Sequence, residues 1–247
     1  LPPGADAVVM VEHTTEPMPG HVELMRGVAP GEGVLQPGEE TEPDAILAPA
    51  GRPLRAADLG LLAAAGVTAL YAHARPRVGI LSTGDEIVDL GGRLGPGQIP
   101  NSNTYSLMGE VREGGGDPGS LGVAADRLED IEARLRWGLG CDLLISSAGV
   151  SVGEHDFVKA ALERLGAEQH LWLVDMRPGK PIAFATIPSA GKSALPAFAL
   201  PGNPVSAMVT FELFVRPSVL RLGGHPRLGR PMVQARALAA IASPGRR

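Results

Sequence analysis

One cysteine, Cys141, stands alone in 247 residues. A single thiol closes no internal disulfide and builds no cysteine-based zinc site, so a reducing compartment fits. Aromatic residues are only 4% of the chain, and the interior has to be made from Leu, Val, Ile and Ala. No apolar run reaches the roughly 18 residues of a membrane span, and no charged-then-apolar leader opens the chain. No membrane partner is expected, and the cytoplasm is the expected location. Lys and Arg number 22 against 27 acids, a net charge of −5, with no basic block interleaved with aromatics. That balance argues against a nucleic-acid surface, so an anionic ligand has to be held by a local site.

What the chain does have is 44% hydrophobic and 20% charged residues, the profile of a globular protein, together with 33 glycines and 23 prolines. Disorder and collagen are excluded on composition. The chain opens at Leu1 without a methionine and runs straight into Pro2-Pro3-Gly4. It therefore reads as a fragment holding one complete domain and pieces of others.

Residues 1–75 mix short apolar pieces, Ala7 to Val11 and Ile46 to Ala48, with Gly, Pro and Glu. This reads as small β structure followed by a helix over 56–66, with Gly66 at its C-terminal cap. Beyond Arg75-Pro76-Arg77 the pattern becomes alternating strand and helix. Val78 to Leu81 and Leu143 to Ile145 are apolar runs typical of buried parallel strands. Asp126 is placed to cap a helix with apolar positions Leu128, Ile131, Leu135 and Leu139 and a capping-box Glu129. Further helices are expected over Ser102–Glu113 and Asp156–Leu165. Ile182–Ile187 and Leu195–Leu200 read as a hairpin that widens the sheet. Asn203-Pro204 opens a last helix that buries Met208, Phe211, Val215, Val219 and Leu222. The pattern predicts an α/β doubly wound domain over 76–222, with 223–247 the start of a C-terminal β domain.

In such a sheet, ligands gather beyond the carboxyl ends of the strands. Three turns fall there: Ser82-Thr83-Gly84-Asp85-Glu86; the loop from Ser146 through Gly149, Ser151, Gly153 and His155 to Asp156; and Leu200-Pro201-Gly202-Asn203-Pro204-Val205-Ser206. They describe an anion pocket with acidic corners. Carboxylates beside a phosphate are repulsive unless a hard divalent cation lies between them, which points to Mg²⁺ on Asp85, Asp156 and Glu86. Arg177 and Lys180 flank a stiff Pro178-Gly179 turn and suit an oxyanion. Other partial motifs fail on context. Gly114, Gly116 and Gly119 follow a helix rather than a strand, Gly191-Lys192-Ser193 ends a phosphate-loop pattern at a hairpin tip, and Ser151, His155 and Asp156 crowd onto one loop.

These residues also resemble a known family. Leu1-Pro2-Pro3-Gly4-Ala5-Asp6-Ala7-Val8-Val9, Ser82 to Glu86, Gly149 to Asp156, Arg177-Pro178-Gly179-Lys180-Pro181 and Leu200 to Ser206 are similar, in order, to the motifs of molybdopterin molybdenumtransferases, the MoeA and gephyrin E-domain family. The resemblance implies an elongated multidomain homodimer whose doubly wound domain binds molybdopterin. It implies Mg²⁺-dependent insertion of molybdate into adenylylated molybdopterin with release of AMP. Molybdopterin adenylyltransferase and downstream molybdoenzymes or chaperones would be partners. Carried over by motif, Asp85, Asp156, Arg177 and Lys180 would do the chemistry, with metal on Asp85, Glu86 and Asp156. Thr83, Gly84, Gly149, Ser151, Gly153, Pro201, Gly202, Asn203, Pro204 and Ser206 would line the cofactor pocket. Departures from the family pattern are Leu173 where a lysine is common, Asp175 where a small residue is usual, and Ala148 in place of a second glycine. The alternatives are an adenylyltransferase on the same fold and a non-catalytic molybdopterin-binding scaffold.

Overall fold

A computed structural model of the chain describes residues 1–149, 157–189, 191 and 193–240. The chain divides into two units, Leu1–Leu70 and Tyr71–Arg247.

In the first unit, β1 (Thr14–Met18) and β2 (His21–Leu24) form an antiparallel hairpin around Pro19-Gly20. Helix α1 (Ala56–Ala64) follows. Asp58 holds the start of α1: its carboxylate accepts the backbone N–H of Arg55 at 2.8 Å and two bonds from the Arg52 guanidinium. Gly66, at φ +78°, closes the helix. The two apolar pieces expected as β structure are not strands. Ala7 to Met10 is loop, with Met10 extended where it runs into a short 3₁₀ turn at Val11–His13, and Ile46 to Ala48 also lies in loop. None of the residues 1–70 is fully buried, so these pieces have no packed face to line up against.

The second unit is built on β3 (Arg77–Thr83), which leads through a small parallel pair, β4 (Ile87–Val88) and β5 (Ile99–Pro100), into α2 (Ser102–Glu113). Then follow β6 (Asp117–Ala124), α3 (Leu128–Trp137), β7 (Leu143–Ser147), α4 (Phe157–Arg164), β8 (Glu168–Trp172), β9 (Ala183–Ile187), β10 (Leu195–Leu200), α5 (Pro204–Thr210) and α6 (Arg216–Leu222). A π turn, Phe211–Val215, joins the last two helices.

The sheet order is β6-β3-β7-β10-β9-β8, with β6, β3, β7 and β10 parallel and β9 antiparallel to both its neighbours. From β3 the chain passes to β6 on one side, then returns to β7 on the other. The topological switch point therefore lies between β3 and β7, where an open α/β sheet leaves a crevice at its carboxyl edge. Each face of the sheet is covered. On one, Leu81 and Leu144 pack with Ile131 and Leu135 of α3 and Val158 and Leu162 of α4. On the other, Val78, Ile80, Leu143 and Ile145 pack with Leu107 and Val111 of α2 and with Phe211, Val215 and Val219.

Three local expectations are corrected. Asp126 does not cap α3: Arg127 holds that position without a side-chain bond, and the acid that turns back is Asp130, which accepts the N–H of Ala125 at 2.8 Å. Glu129 therefore forms no capping box, and Leu139 lies beyond the helix, 40% exposed. Asn203 does cap the last helix, its Oδ1 accepting the N–H of Ser206 at 3.1 Å. Its inner face is Ala207, Thr210, Phe211, Val215 and Val219, which turns Met208 outward; Leu222, in the final turn before Gly223, also points outward. Residues 223–240 hold no strand; from this segment Arg230 reaches back to Glu212.

Candidate functional site

At the carboxyl edge the strands end in hydroxyls that alternate between the two faces of the sheet. Ser82 points toward α2 and is fully satisfied there. Its Oγ donates to Oδ1 of Asn101 at 2.9 Å and meets Oγ1 of Thr104 at 2.8 Å, while Nδ2 of Asn101 donates to Thr104 at 3.0 Å. All three side chains are buried. Asn101 also caps α2 by accepting the N–H of Thr104. This closed ring fixes the start of α2 against the end of β3.

The hydroxyls on the opposite face differ. Oγ1 of Thr83 and Oγ of Ser146 are buried and have no hydrogen-bond partner among the described residues. A buried hydroxyl without a partner costs about 1–3 kcal/mol, so two of them on the same face of adjacent strands, with Ser146 in register with Leu81, mark polar capacity that a ligand can use.

The three turns expected to line the pocket come together here. Gly149, at φ +77°, brings its backbone so close that an added Cβ would lie 2.8 Å from Oγ1 of Thr83 and 2.5 Å from Cγ2 of Val158. Gly202 passes Ala148 closely enough that a Cβ there would stand 3.2 Å from the alanine methyl. Asn103, on the first turn of α2, spans the second and third turns: its Nδ2 donates to Oγ of Ser147 and to the carbonyl of Gly202, both at 2.8 Å. Pro201 is buried, while Asn203 and Ser206 satisfy each other at the start of α5. Ala148 itself sits in the left-handed region at φ +72°, which is where a glycine would be strain-free.

The acidic corner of the first turn holds Asp85 and Glu86 together with Asp126. Gly84 is buried at φ +138°, and the Glu86 carboxylate folds over it, within 2.7 Å of where a Cβ would be. Oδ1 of Asp85 accepts the backbone N–H of Asp126 at 3.1 Å. Burial, and after it the negative charges of Asp85 and Glu86, raises the pKa of Asp126 above the usual carboxylate range. Asp126, read from sequence as a helix cap, is thus the third carboxylate of this corner. Among the described residues no group of three or more His, Cys, Asp or Glu is placed to hold a metal ion. Asp156, Ser151 and Gly153 lie outside the described residues.

Arg177 and Lys180 are exposed, on a turn that Gly179 seats against α5, where a Cβ would meet the Thr210 methyl at 2.5 Å. The 177–178 peptide is cis. Neither cation is bonded to a crevice residue among those described; the turn is closed at its base by the Val174 N–H to the Lys180 carbonyl and the Leu173 N–H to the Ile182 carbonyl, both at 3.0 Å. Cys141 is half-buried against the α3/α4 core, and burial pushes its thiol up, as expected of a packed residue.

A second cavity, of about 210 Å³, lies along α2 and the π turn, lined by Glu110, Glu113, Met208, Glu212, Arg216 and Arg230. Glu212 holds both arginines, leaving Oε2 of Glu110 buried and unpartnered among the described residues. Burial, with the nearby charges of Glu212 and Glu113, pushes Glu110 up to about 7.

Asn103 and the Ser82–Asn101–Thr104 ring were not picked out by motif reading. Their signal was the polar run Asn101-Ser102-Asn103-Thr104 at a helix start on the carboxyl side of the first strand.

Comparison with known proteins places this geometry. Residues 79–221 match the family model described as a probable molybdopterin binding domain, and residues 1–66 match the MoeA N-terminal region (domain I and II). A molybdopterin molybdenumtransferase of Nostoc sp. is 38% identical over 100% of this chain and 56% of its own length. Gephyrin of Dictyostelium discoideum is 32% identical over 98% of this chain and 38% of its own. The crystal structure of a molybdopterin biosynthesis MoeA protein from Pyrococcus horikoshii superposes with a TM-score of 0.69 at 32% identity, covering 89% of this chain and 53% of that one. The chain spans about half the length of the curated molybdenumtransferases it matches.

Proposed function

Because the chain belongs to the MoeA and gephyrin family of molybdopterin-binding proteins, we propose that it serves molybdenum cofactor biosynthesis by inserting molybdate into adenylylated molybdopterin with release of AMP. The observation that carries this reading is the meeting of three turns at the β3/β7 switch point, over the two unpartnered hydroxyls of Thr83 and Ser146. Those hydroxyls, with the backbone at Gly84, Gly149 and Gly202, suit the oxygens of a phosphate-bearing cofactor. Arg177 and Lys180 serve as the cations for pterin phosphate or molybdate. Pro201, Asn203, Pro204 and Ser206 complete the pocket wall, and by the family's motif Ser151 and Gly153 would serve the same cofactor.

Mg²⁺ belongs to the same reading. The fit rests on Asp85 and Glu86 standing together at the end of β3, with Asp85 bonded to the Asp126 backbone; hard carboxylate oxygens suit a hard divalent cation. Asp85, Glu86 and Asp156 would hold it, and it would neutralise charge on the nucleotide phosphates. The protein works as a homodimer in the cytoplasm, receives its substrate from molybdopterin adenylyltransferase and passes its product to molybdoenzymes or their chaperones.

The test is to incubate the protein with adenylylated molybdopterin, molybdate and Mg²⁺ and to measure AMP. Molybdate-dependent release supports the reading. Tight binding without release assigns a scaffold instead, and ATP consumption with free molybdopterin assigns an adenylyltransferase.

A further inference from the structure

We propose that Asn103 is a positioning residue that sets the spacing between the second and third turns of the crevice. Its role rests on the molybdopterin reading above only for the identity of the ligand. The carboxamide has two N–H bonds and uses both on distant parts of the chain: Oγ of Ser147 at the end of β7 and the carbonyl of Gly202 in the turn after β10. The Gly202 carbonyl can only accept, which fixes which end of the amide is nitrogen. A flipped amide, or a carboxylate, would set oxygen against oxygen.

The residue type has no local explanation. Asn101 is the helix cap. Asn103 lies inside the first turn, where asparagine is a poor helix former, and its Oδ1 is buried without a partner among the described residues. What the side chain does is tie two turns to one helix. That helix is itself immobilised by the buried Ser82–Asn101–Thr104 ring, so the tie transmits a fixed distance rather than a loose contact. The β7 and β10 ends flank one side of the crevice, and a shift between them changes the shape of the pocket that Gly149 and Gly202 line. Small displacements of positioning groups are enough to cost large factors in turnover.

The experiment uses the whole chain with Asn103→Ala and Asn103→Asp, the latter keeping the shape while removing both donors. Amide hydrogen exchange is read first, without ligand. Exchange at Ala148, whose N–H is bonded to the Leu200 carbonyl at 3.1 Å, should quicken 10-fold or more in both variants, with the β3 and β6 amides unchanged. Equal protection in variant and wild type overturns the proposal whatever the ligand is. Steady-state kinetics with adenylylated molybdopterin are read second. In both variants KM should rise at least 10-fold, by a larger factor than kcat falls, and Ser147→Ala should give a smaller rise that does not add to that of Asn103→Ala. If KM is unchanged in both variants while the wild type binds, the proposal is also overturned. A wild type that does not bind adenylylated molybdopterin removes the functional reading alone, and the exchange result still decides the role of Asn103.

Discussion

Gly149 and Thr83 meet at the crest of the sheet with no room between them for a methyl group: a Cβ on Gly149 would stand 2.8 Å from Oγ1 of the threonine. The backbone there is also left-handed, at φ +77°. Gly149→Ala combines the steric penalty of that conformation with overpacking against Val158, together about 2–5 kcal/mol. Urea denaturation should show that loss; a variant as stable as wild type would mean the crest is looser than described.

Ala148→Gly works in the opposite direction. Removing the side chain at φ +72° relieves about 1–2 kcal/mol of strain and concedes up to about 1 kcal/mol in unfolded-chain entropy. A net gain of up to about 1 kcal/mol is expected, read as a melting midpoint raised by about 2–4 °C. A lower midpoint would contradict the strain assigned to this residue.

Glu110 makes stability depend on pH. Its folded pKa, raised to about 7 by burial and by Glu212 and Glu113, lies above its ordinary value near 4.5. The folded state therefore holds a proton that the unfolded chain gives up. Stability from this group is complete below the ordinary value and is lost as pH rises through about 7. Glu110→Gln keeps the shape without the charge. At pH 8 it should gain on the order of 1 kcal/mol over wild type after allowing for solvent screening, and at pH 4.5 the difference should vanish. Melting curves at the two pH values check this, and a pH-independent difference would refute it.

Asp85→Asn separates charge from hydrogen bonding at the acidic corner, since the amide oxygen can still accept the Asp126 N–H. The pKa of Asp126 should move back toward the ordinary range, but only part of the way, because burial is the larger cause of its rise. Carboxyl NMR titration measures the shift. AMP release should fall by at least 10-fold if Asp85 serves the proposed reaction, and full activity would remove it from that role.

Much of the second unit was legible because its signals are local and repeated. Val78 to Leu81 and Leu143 to Ile145 are apolar on both faces, which only a covered parallel strand requires, and Asn203-Pro204 is a helix start on any backbone. The three turns followed from the topology those strands imply. What stayed hidden depended on contacts between distant residues. Asp130, not Asp126, turns back on the chain at α3, and the Asp126 backbone N–H goes instead to Asp85, 41 positions away, a contact no local pattern shows. Asn103 looks like any polar residue at a helix start until Gly202, 99 positions later, is folded against it. The apolar pieces of the first unit misled because a short apolar run between turn residues does not make a strand without a neighbour to pair with.

One consequence follows from β9, the described strand that runs against the rest of its sheet. Its link to β10 reverses at the amino end of that strand, and six residues of β10 carry the chain from there to the crest. At about 3.3 Å per residue, that is roughly 20 Å of rigid spacer. The connection between Ile187 and Leu195 is therefore the place to attach a fluorophore or a surface tether, since a probe there would report on the protein without standing in the doorway of its pocket.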